Sequence, residues 1–396
     1  MHSNKTVLFL TARVPAPLDD GWKIRTFHLM QGYVRNGWRV DLLSYCQPEQ
    51  EPGDFPELQA LCRQLHLVPR TKAYSPMDLL RGLVLSTPFH VHNYHLQAMV
   101  DAVQEMATGQ AYDLVQIEDV VMAQYVVPAM DNSLRILDMH NVESALLRRY
   151  AEKDGNLFKK IYARLTAAKL EGYERDVAGK FHKVLVCSVQ DRGLLQDKTM
   201  STPIQVTPNG VDCDYFQPLP MDPASKDLVF VGSMDYHANI SGVLFFVHNI
   251  LPLIHQKYPE THFTIVGKNP PEAIRRLTGE RVAVTGMVPD VRPYLARARV
   301  VVVPLLVGGG TRLKILEAMA CGKAIVSTPM GAEGISAKDS QHFCLADTAH
   351  EFAQVTIQLL QEPALCQRIG TAAATFVTER FDWRLITDDL CRSLSS

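Results

Sequence analysis

The sequence predicts an α/β protein with two parallel sheets, each covered by helices on both faces. Eleven short apolar runs, rich in Val and Ile, alternate with segments of helical periodicity along the 396 residues. Continuous apolar runs of this kind are typical of strands buried on both faces, as in parallel sheets. A chain of this length also exceeds the usual size of a single core. We therefore expect two Rossmann-like domains facing across a cleft, the architecture called GT-B.

The predicted strands follow one another in two series. They cover 7–10, 39–45, 113–118, 135–140 and 183–188, and then 203–208, 227–233, 262–267, 281–286, 299–305 and 323–328. A TIM barrel is the rival architecture, but it needs eight evenly spaced strand–helix units in about 250 residues. This chain is longer and its strands are less evenly spaced, which favours two open sheets.

The boundary between the domains is predicted within 206–227, which is rich in Pro, Asp and Gly and lacks periodicity. We place an N-terminal domain at 1–206 and a C-terminal domain at 207–380. The remaining residues, 381–396, predict a terminal helix with an aromatic interruption at Phe381–Trp383.

Composition excludes several classes of function. A formal net charge of -2 gives no reason to expect a nucleic-acid partner. The eight cysteines form no CxxC pair, so neither a zinc site nor a disulfide framework is indicated. The N-terminus resembles a first strand more than a signal peptide, and no run of 18 apolar residues predicts a membrane span. We expect a cytoplasmic protein.

One segment leaves room for peripheral membrane contact. Residues 156–183 predict a helix with seven Lys or Arg and three Asp or Glu. A solvated helix face is the favoured interpretation, and binding to an anionic membrane surface is the alternative.

Two features in the N-terminal half lie where ligands bind in such folds, at the carboxyl ends of strands. Gly21 precedes a predicted helix, whose N-terminus attracts anions, although a plain loop is an equal alternative. The loop is not GxGxxG and no acidic residue ends the second strand, which argues against a dinucleotide oxidoreductase. His140 ends the strand RILDMH, and Glu143 begins the following helix, where its charge suits the dipole.

In the C-terminal half, three successive strands end in glycine and together predict a flat floor for a ligand. The candidate binding residues at these ends are Gly232, Ser233, Asn239, Lys268 and Val288. Each alone is also compatible with a tight turn or a helix cap.

The stretch GGGTRLKILEAMACGKAIVSTPMGAEG, 308–334, gives the sharpest signal. A helix is predicted to begin near Thr311, with Arg312 and Lys314 at its positive end. Cations are unfavourable at the positive end of a helix dipole, and a pyrophosphate bound there would offset the positive charge. Glu317 would then accept two hydrogen bonds from vicinal hydroxyls. The alternative is an anion-free surface helix whose glutamate forms a salt bridge.

Seven elements in this order make the chain resemble family 4 of the retaining GT-B glycosyltransferases. They are DDGWKIRTFHL, LDMHNVES, VTPNGVDCDYF, FVGSMDYHANISG, IVGKNPP, TGMVPDVRPYL and the stretch 308–334. The chain is most similar to sugar transferases of bacterial exopolysaccharide and PEP-CTERM systems.

The resemblance implies a nucleotide-diphosphate-sugar held mainly by the C-terminal domain and an acceptor held mainly by the N-terminal one. Glu317 matches the second glutamate of the E-x7-E motif, which holds the donor ribose. Gly310 and Leu313 match the loop at the diphosphate, His140 the histidine near the donor sugar, and Gly21 the glycine near the donor phosphate. The terminal helix resembles the one that crosses back to the N-terminal domain.

The chain departs from this pattern at three places. Gly309 stands where the first glutamate of E-x7-E contacts the donor sugar. The usual Arg and Lys after the first C-domain strand are absent, and Arg312 and Lys314 are extra cations. One hypothesis is compensation, in which the cations moved from one loop to the other. The other is decay into a non-catalytic partner.

We therefore expect a metal-independent retaining glycosyltransferase without a cofactor. Backbone amides at Gly309–Gly310 would hold the sugar, and the backbone at Val288–Pro289 would hold the base. The acceptor is expected to be a saccharide, with a lipid-linked one as a candidate. A nucleotide-sugar epimerase and a non-catalytic binding subunit stay open as alternatives.

Overall fold

A computed structural model describes residues 5–71, 88–153, 157–196, 201–308 and 311–394. The chain divides into two compact units, Met1–Pro208 with Thr387–Ser396, and Asn209–Ile386. The sequence had placed these boundaries at 206 and 380. The described part of each unit contains one parallel sheet with helices, so the predicted fold class is confirmed and a TIM barrel is excluded.

The first unit contains a seven-stranded sheet in the order β3-β2-β1-β4-β5-β6-β7. Its strands are β1 (Thr6–Thr11), β2 (Arg39–Cys46), β3 (Gln64–Pro69), β4 (Leu114–Glu118), β5 (Leu134–Met139), β6 (Lys183–Val186) and β7 (Ile204–Val206). Its described helices are α1 (Gly21–Arg35), α2 (Pro56–Leu61), α3 (Phe89–His92), α4 (Gln97–Gly109), α5 (Glu143–Lys153), α6 (Leu157–Ala178) and α7 (Val189–Gln196). Single 3-10 turns lie at Pro52–Asp54, Ala123–Tyr125 and Pro128–Met130.

The second unit contains a six-stranded sheet in the order β10-β9-β8-β11-β12-β13. Its strands are β8 (Leu228–Val231), β9 (Phe263–Val266), β10 (Val282–Gly286), β11 (Val300–Val303), β12 (Ala324–Ser327) and β13 (Cys344–Leu345). Its described helices are α8 (His237–Phe245), α9 (Leu251–His255), α10 (Glu272–Arg275), α11 (Arg292–Arg297), α12 (Leu313–Ala320), α13 (Ala349–Gln361), α14 (Pro363–Arg380) and α15 (Trp383–Ser393).

Both sheets follow the doubly wound order of the Rossmann fold. In each sheet, the first strand of the unit lies in the interior, third from one edge. The next two strands are added on one side of it, and the following strands are added on its other side. In the first unit β1 pairs with both β2 and β4, and in the second unit β8 pairs with both β9 and β11. Ligands of such sheets bind at this switch point, outside the carboxyl ends of the strands.

The buried strands explain why short apolar runs predicted the sheets. In β11 all four valines, Val300–Val303, are at most 1% exposed. All eleven predicted strands are present, with ends that differ by a few residues. The prediction missed two edge strands, β3 of the first sheet and β13 of the second, where fewer residues are buried.

The run His237–His255 is long and apolar enough to be a candidate membrane span. Its residues Val243, Phe246 and Ile250 are buried in the core of the second unit, which explains the hydropathy. A π-helical segment, Phe246–Ile250, joins α8 to α9. Pro252 follows at the start of α9, and its missing N–H accounts for the change in helical pairing.

The last residues of the chain pack on the first unit. Arg35 donates a hydrogen bond to the Thr387 hydroxyl at 2.7 Å, and Lys183 donates one to the Ser393 carbonyl at 3.1 Å. Thr387 lies so close to Gly32 that any Cβ at that position would overlap it. The terminal helix is interrupted as predicted, because α14 ends at Arg380 and α15 begins at Trp383.

Candidate functional site

In the second unit, glycines lie at the carboxyl ends of β8, β9 and β10. A Cβ on Gly267 would overlap the carbonyl oxygen of Gly232, and Gly286 has a positive φ of 72°. These glycines are therefore needed for the close approach and turn of the backbone itself. Nearby, Val288 is partly buried against the core, so its side chain has a packing role.

A half-buried lysine crosses the first of these glycines. The amine of Lys314 donates a hydrogen bond to Asn239 Oδ1 at 2.7 Å and lies 4.1 Å from the centre of the Phe230 ring. Asn239 in turn donates to the carbonyl oxygen of Ser233 at 2.6 Å. A Cβ on Gly232 would occupy the place of the amine. Four residues predicted separately as donor-binding are thus one connected group.

The helix that carries this lysine begins later than predicted. It starts at Leu313, and Arg312 is its N-cap residue in an extended conformation, with φ -84° and ψ 99°. The predicted start at Thr311 was therefore wrong by two residues. The predicted conflict between cations and dipole is also weaker, because Arg312 precedes the helix and Asn239 holds the amine of Lys314.

The residues before the helix present polar groups toward this edge of the sheet. Thr311 is 7% exposed, and its hydroxyl makes no hydrogen bond within the part of the chain that the structure describes. The guanidinium of Arg312 lies beside Gly308, whose φ of 137° favours glycine, and Tyr236 lies at the same place. The predicted roles of Gly309 and Gly310 lie outside the described residues.

The charges of this group are strongly perturbed. Burial and the nearby charge of Arg312 lower the pKa of Lys314 to about 7, and the carboxylate of Glu317 only partly opposes them. Burial raises the pKa of Glu317 to about 7 as well. A bound anion would favour the charged form of the amine, so Lys314 would gain a proton when the anion binds.

Two further predicted residues make local contacts. The Ser233 hydroxyl donates to Asp235 at 3.0 Å, and the carbonyl oxygen of Lys268 accepts a hydrogen bond from Met234 at 2.9 Å. These bonds shape the loops after β8 and β9.

In the first unit, His140 follows β5 and is 8% exposed. Its Nε2 lies 2.6 Å from a carboxylate oxygen of Glu118, which ends the neighbouring strand β4. Trp22 stacks on the imidazole, with ring centres 5.4 Å apart. Gly21 is the first residue of α1, and the Asp20 carboxylate caps that helix by accepting from the Lys23 amide at 3.1 Å.

Further buried charges surround this histidine. Arg25 is fully buried and makes two hydrogen bonds of 2.8 Å to the two oxygens of Asp138. Asp119 accepts a hydrogen bond from the Trp22 indole at 2.5 Å and has a positive φ of 74°. A non-glycine residue in this conformation is strained, and such strain is concentrated at functional sites.

These contacts set the protonation of the group. Burial opposes a charge on His140, but the hydrogen bond to Glu118 and the nearby carboxylates outweigh it and raise the pKa of His140. Burial and the charge of Asp138 raise the pKa of Glu118. Burial, with the carboxylates of Asp119 and Glu174, raises the pKa of Glu143 to about 7. The helix α5 begins at Glu143, as the sequence predicted, and burial favours the neutral form of its carboxyl group.

Sequence reasoning found His140 but missed its neighbours Trp22, Arg25, Glu118, Asp119 and Asp138. The segments QIED and LDMH carry the signal, because both place carboxylates at the ends of strands. Since β4 and β5 are adjacent and parallel, their ends meet at one edge. The carboxylates Glu118 and Asp138 and the imidazole of His140 offer atoms within 4.8 Å of one another, and Arg25 supplies a positive charge beside them.

Comparison with known proteins identifies the second unit. Residues 225–362 match the family model for glycosyl transferases group 1. This match covers most of the second unit. The matched range includes Lys314, Glu317 and Asn239, so the connected group around Lys314 lies inside the family region.

Similarity extends over the whole glycosyltransferase. An uncharacterized 44.6 kDa protein in the cps region of Klebsiella pneumoniae is 22% identical over 395 residues, covering 95% of this chain and 96% of its own. Sucrose-phosphate synthase from Thermosynechococcus elongatus superposes with a TM-score of 0.73 at 18% identity, covering 98% of both chains. HepE from Anabaena, in complex with UDP and glucose, gives a TM-score of 0.70 at 15% identity over 98% of this chain and 99% of its own.

These likenesses show the GT-B fold over the full length of this glycosyltransferase. The family match favours a glycosyltransferase over the epimerase and the non-catalytic subunit.

Proposed function

We propose that the protein transfers a sugar from a nucleotide-diphosphate-sugar to an acceptor hydroxyl, with retention of the anomeric configuration. The observation that carries the proposal is the amine of Lys314, half-buried at the switch point of the second sheet and held by Asn239. It supplies a preorganised charge where an anionic ligand of this fold binds. The solved HepE structure contains UDP and glucose, which supports a nucleotide donor.

Lys314, Arg312 and the start of α12 are proposed to bind the donor diphosphate. The Thr311 hydroxyl is buried without a hydrogen bond among the described residues, so it could donate one to an oxygen of the diphosphate. As the glycosidic bond breaks, negative charge accumulates on the leaving diphosphate, and the two cations stabilise that charge. In this proposal they replace a divalent metal.

Glu317 is proposed to hold the donor ribose. Only burial and the charge of Lys314 perturb its carboxylate, which lies on the same helix one turn beyond the lysine. A ribose offers two vicinal hydroxyls that match the two oxygens of a carboxylate. Binding would favour the ionised form, because hydrogen bonds to a carboxylate stabilise its charge.

His140 is proposed to orient the transferred sugar. The carboxylate of Glu118 fixes one ring nitrogen at 2.6 Å, and Trp22 fixes the plane of the ring. An imidazole held on two sides can present its remaining nitrogen in a constant direction. We propose displacement on the front face of the sugar, assisted by the donor phosphate, which accounts for retention.

The acceptor is proposed to be a saccharide in polysaccharide or glycoconjugate synthesis, in agreement with the relative from a cps region. We propose a lipid-linked form of it and a location at the inner face of the cytoplasmic membrane.

The test begins with calorimetric titration of the purified chain with UDP, GDP, ADP, CDP and dTDP, with EDTA or with magnesium. One nucleotide is expected to bind without metal and to raise the melting temperature. The matching nucleotide-sugar is then incubated with candidate acceptors, and the anomeric configuration of the product is read by NMR. Absence of binding by every nucleotide would refute the donor site. Nucleotide binding without sugar transfer or donor hydrolysis would indicate a binding subunit. A product with inverted anomeric configuration would refute retention.

A further inference from the structure

The helix α6 exposes a row of large apolar side chains. Leu157, Ile161 and Leu165 are 66%, 49% and 53% exposed. They are four residues apart, so they form one stripe along the helix. The opposite face of the helix is buried through Ala167, Leu170 and Val177. The stripe is therefore not the face that holds α6 on its own unit.

The charges on the first half of α6 have one sign. Between Leu157 and Leu170 the sequence contains four cations and no Asp or Glu. At about 100° per residue, Lys160 and Arg164 lie on one flank of the stripe and Lys169 on the other. The first carboxylate of the helix is Glu171, which pairs with Arg148 on α5. The row of apolar side chains thus lies between cations.

Isolated exposed apolar residues are ordinary on protein surfaces, but clusters mark interaction sites. Among the described residues, ten large apolar side chains are exposed, and three of them lie within these nine residues of α6. The others, such as Val189 and Met287, are scattered. The clustering requires a partner that offers apolar contact and negative charge together.

We propose that Leu157, Ile161 and Leu165 with the flanking cations Lys160, Arg164 and Lys169, here called the basic apolar stripe, bind the surface of an anionic lipid bilayer. The helix would lie in the plane of the membrane, with Leu157, Ile161 and Leu165 below the headgroups. Lys160 and Arg164 have stems long enough to reach the phosphates beside the helix. A second copy of this chain is a poorer partner, because a symmetric contact would bring two sets of flanking cations together.

The inference does not depend on the donor site, so its test uses no nucleotide. The full chain is mixed with vesicles of pure phosphatidylcholine or of phosphatidylcholine with phosphatidylglycerol, and binding is measured by co-sedimentation. Binding is expected only with phosphatidylglycerol and is expected to weaken as salt increases. The triple variant Leu157→Ser, Ile161→Ser, Leu165→Ser should bind at least about 10-fold more weakly than the parent. Each of Lys160→Gln and Arg164→Gln should cost about fivefold.

The matched control is Val189→Ser with Met287→Ser, which removes exposed apolar side chains elsewhere and should bind as the parent does. All variants change exposed or half-buried positions, and circular dichroism would verify their folding. Equal binding by the parent and the triple variant would overturn the proposal, as would absence of binding to phosphatidylglycerol vesicles. A parent that is dimeric in light scattering, with a monomeric triple variant, would assign the stripe to self-association instead.

Discussion

Replacing Lys314 with methionine removes the charge that the donor site is proposed to use, while keeping an apolar stem of similar length. Hydrogen bonds to charged groups contribute about 1.5–3 kcal/mol, so the loss of one should weaken nucleotide binding about 10- to 150-fold. Because Asn239 already holds the amine at 2.7 Å, little ordering cost is added on binding, which favours the upper half of this range.

The pH dependence gives a second measure of the same contact. With a pKa of about 7, the amine of Lys314 is roughly half charged at neutral pH before ligand binds. A bound diphosphate raises that pKa, so the amine takes up protons and its contribution to affinity should grow as the pH falls from 8 to 6, whereas the proposed ionisation of Glu317 on ribose binding acts in the opposite direction. In the Lys314→Met protein this part of the pH dependence should disappear.

The assay is calorimetric titration with the nucleotide selected by the screen, at pH 6, 7 and 8. Lys323→Met is the matched control, because Lys323 is a buried lysine of the same unit but precedes β12, at the other end of the strands. Its amine donates to the Ala296 carbonyl at 3.3 Å, and its loss should leave nucleotide affinity unchanged. Adding Asn239→Lys to Lys314→Met should restore part of the affinity. Affinity within twofold of the parent in Lys314→Met at pH 6 would refute the reasoning.

The remaining predictions concern neighbouring contacts. Gly232→Ala should displace the flexible amine of Lys314, press on the Asn239 side chain and weaken nucleotide binding about 10-fold, whereas Gly267→Ala meets backbone and should lower the free energy of unfolding by about 1–3 kcal/mol in urea titrations; equal stability of the two variants would contradict this. Lys323→Met should raise the free energy of unfolding at pH 7 by up to about 3 kcal/mol, because burial lowers the pKa of Lys323 from 10.5 to about 8 in the folded state. That gain should shrink between pH 8 and 10.5, and a gain independent of pH would count against it. Glu118→Gln should lower the pKa of His140 in NMR titrations, since the carboxylate that favours the imidazolium is lost; an unchanged pKa would show that Glu118 does not set it.

The fold was predictable because its strands are buried on both faces and therefore appear as uninterrupted apolar runs. Strand β3 was missed because it is an edge strand whose residues are mostly exposed or half-buried. Strand β13 was missed because two residues are too few to form a pattern. Both failures are at sheet edges, where burial no longer constrains the residue types.

The site was predictable only in part, because sequence indicates where strands end but not which side chains meet. Asn239 and Lys314 were both expected near a donor, yet their contact joins residues 75 positions apart. The Arg25–Asp138 pair, 113 positions apart, gave no local signal at all. The predicted start of α12 near Thr311 lies two residues before the observed one, at which Arg312 is the N-cap residue in an extended conformation.

The return of the last residues to the first unit affects the order in which the chain can fold during synthesis. The second unit is contiguous, Asn209–Ile386, and all of it is synthesised before Thr387. The first unit lacks its final helix turns until residues 387–396 have been made, so the surface around Gly32 and Arg35 stays uncovered in the nascent chain. The amino-terminal unit, although translated first, is the last to be completed. A stop codon or a bulky fusion placed before Thr387 would therefore disturb the amino-terminal unit, whose other residues lie at the opposite end of the sequence.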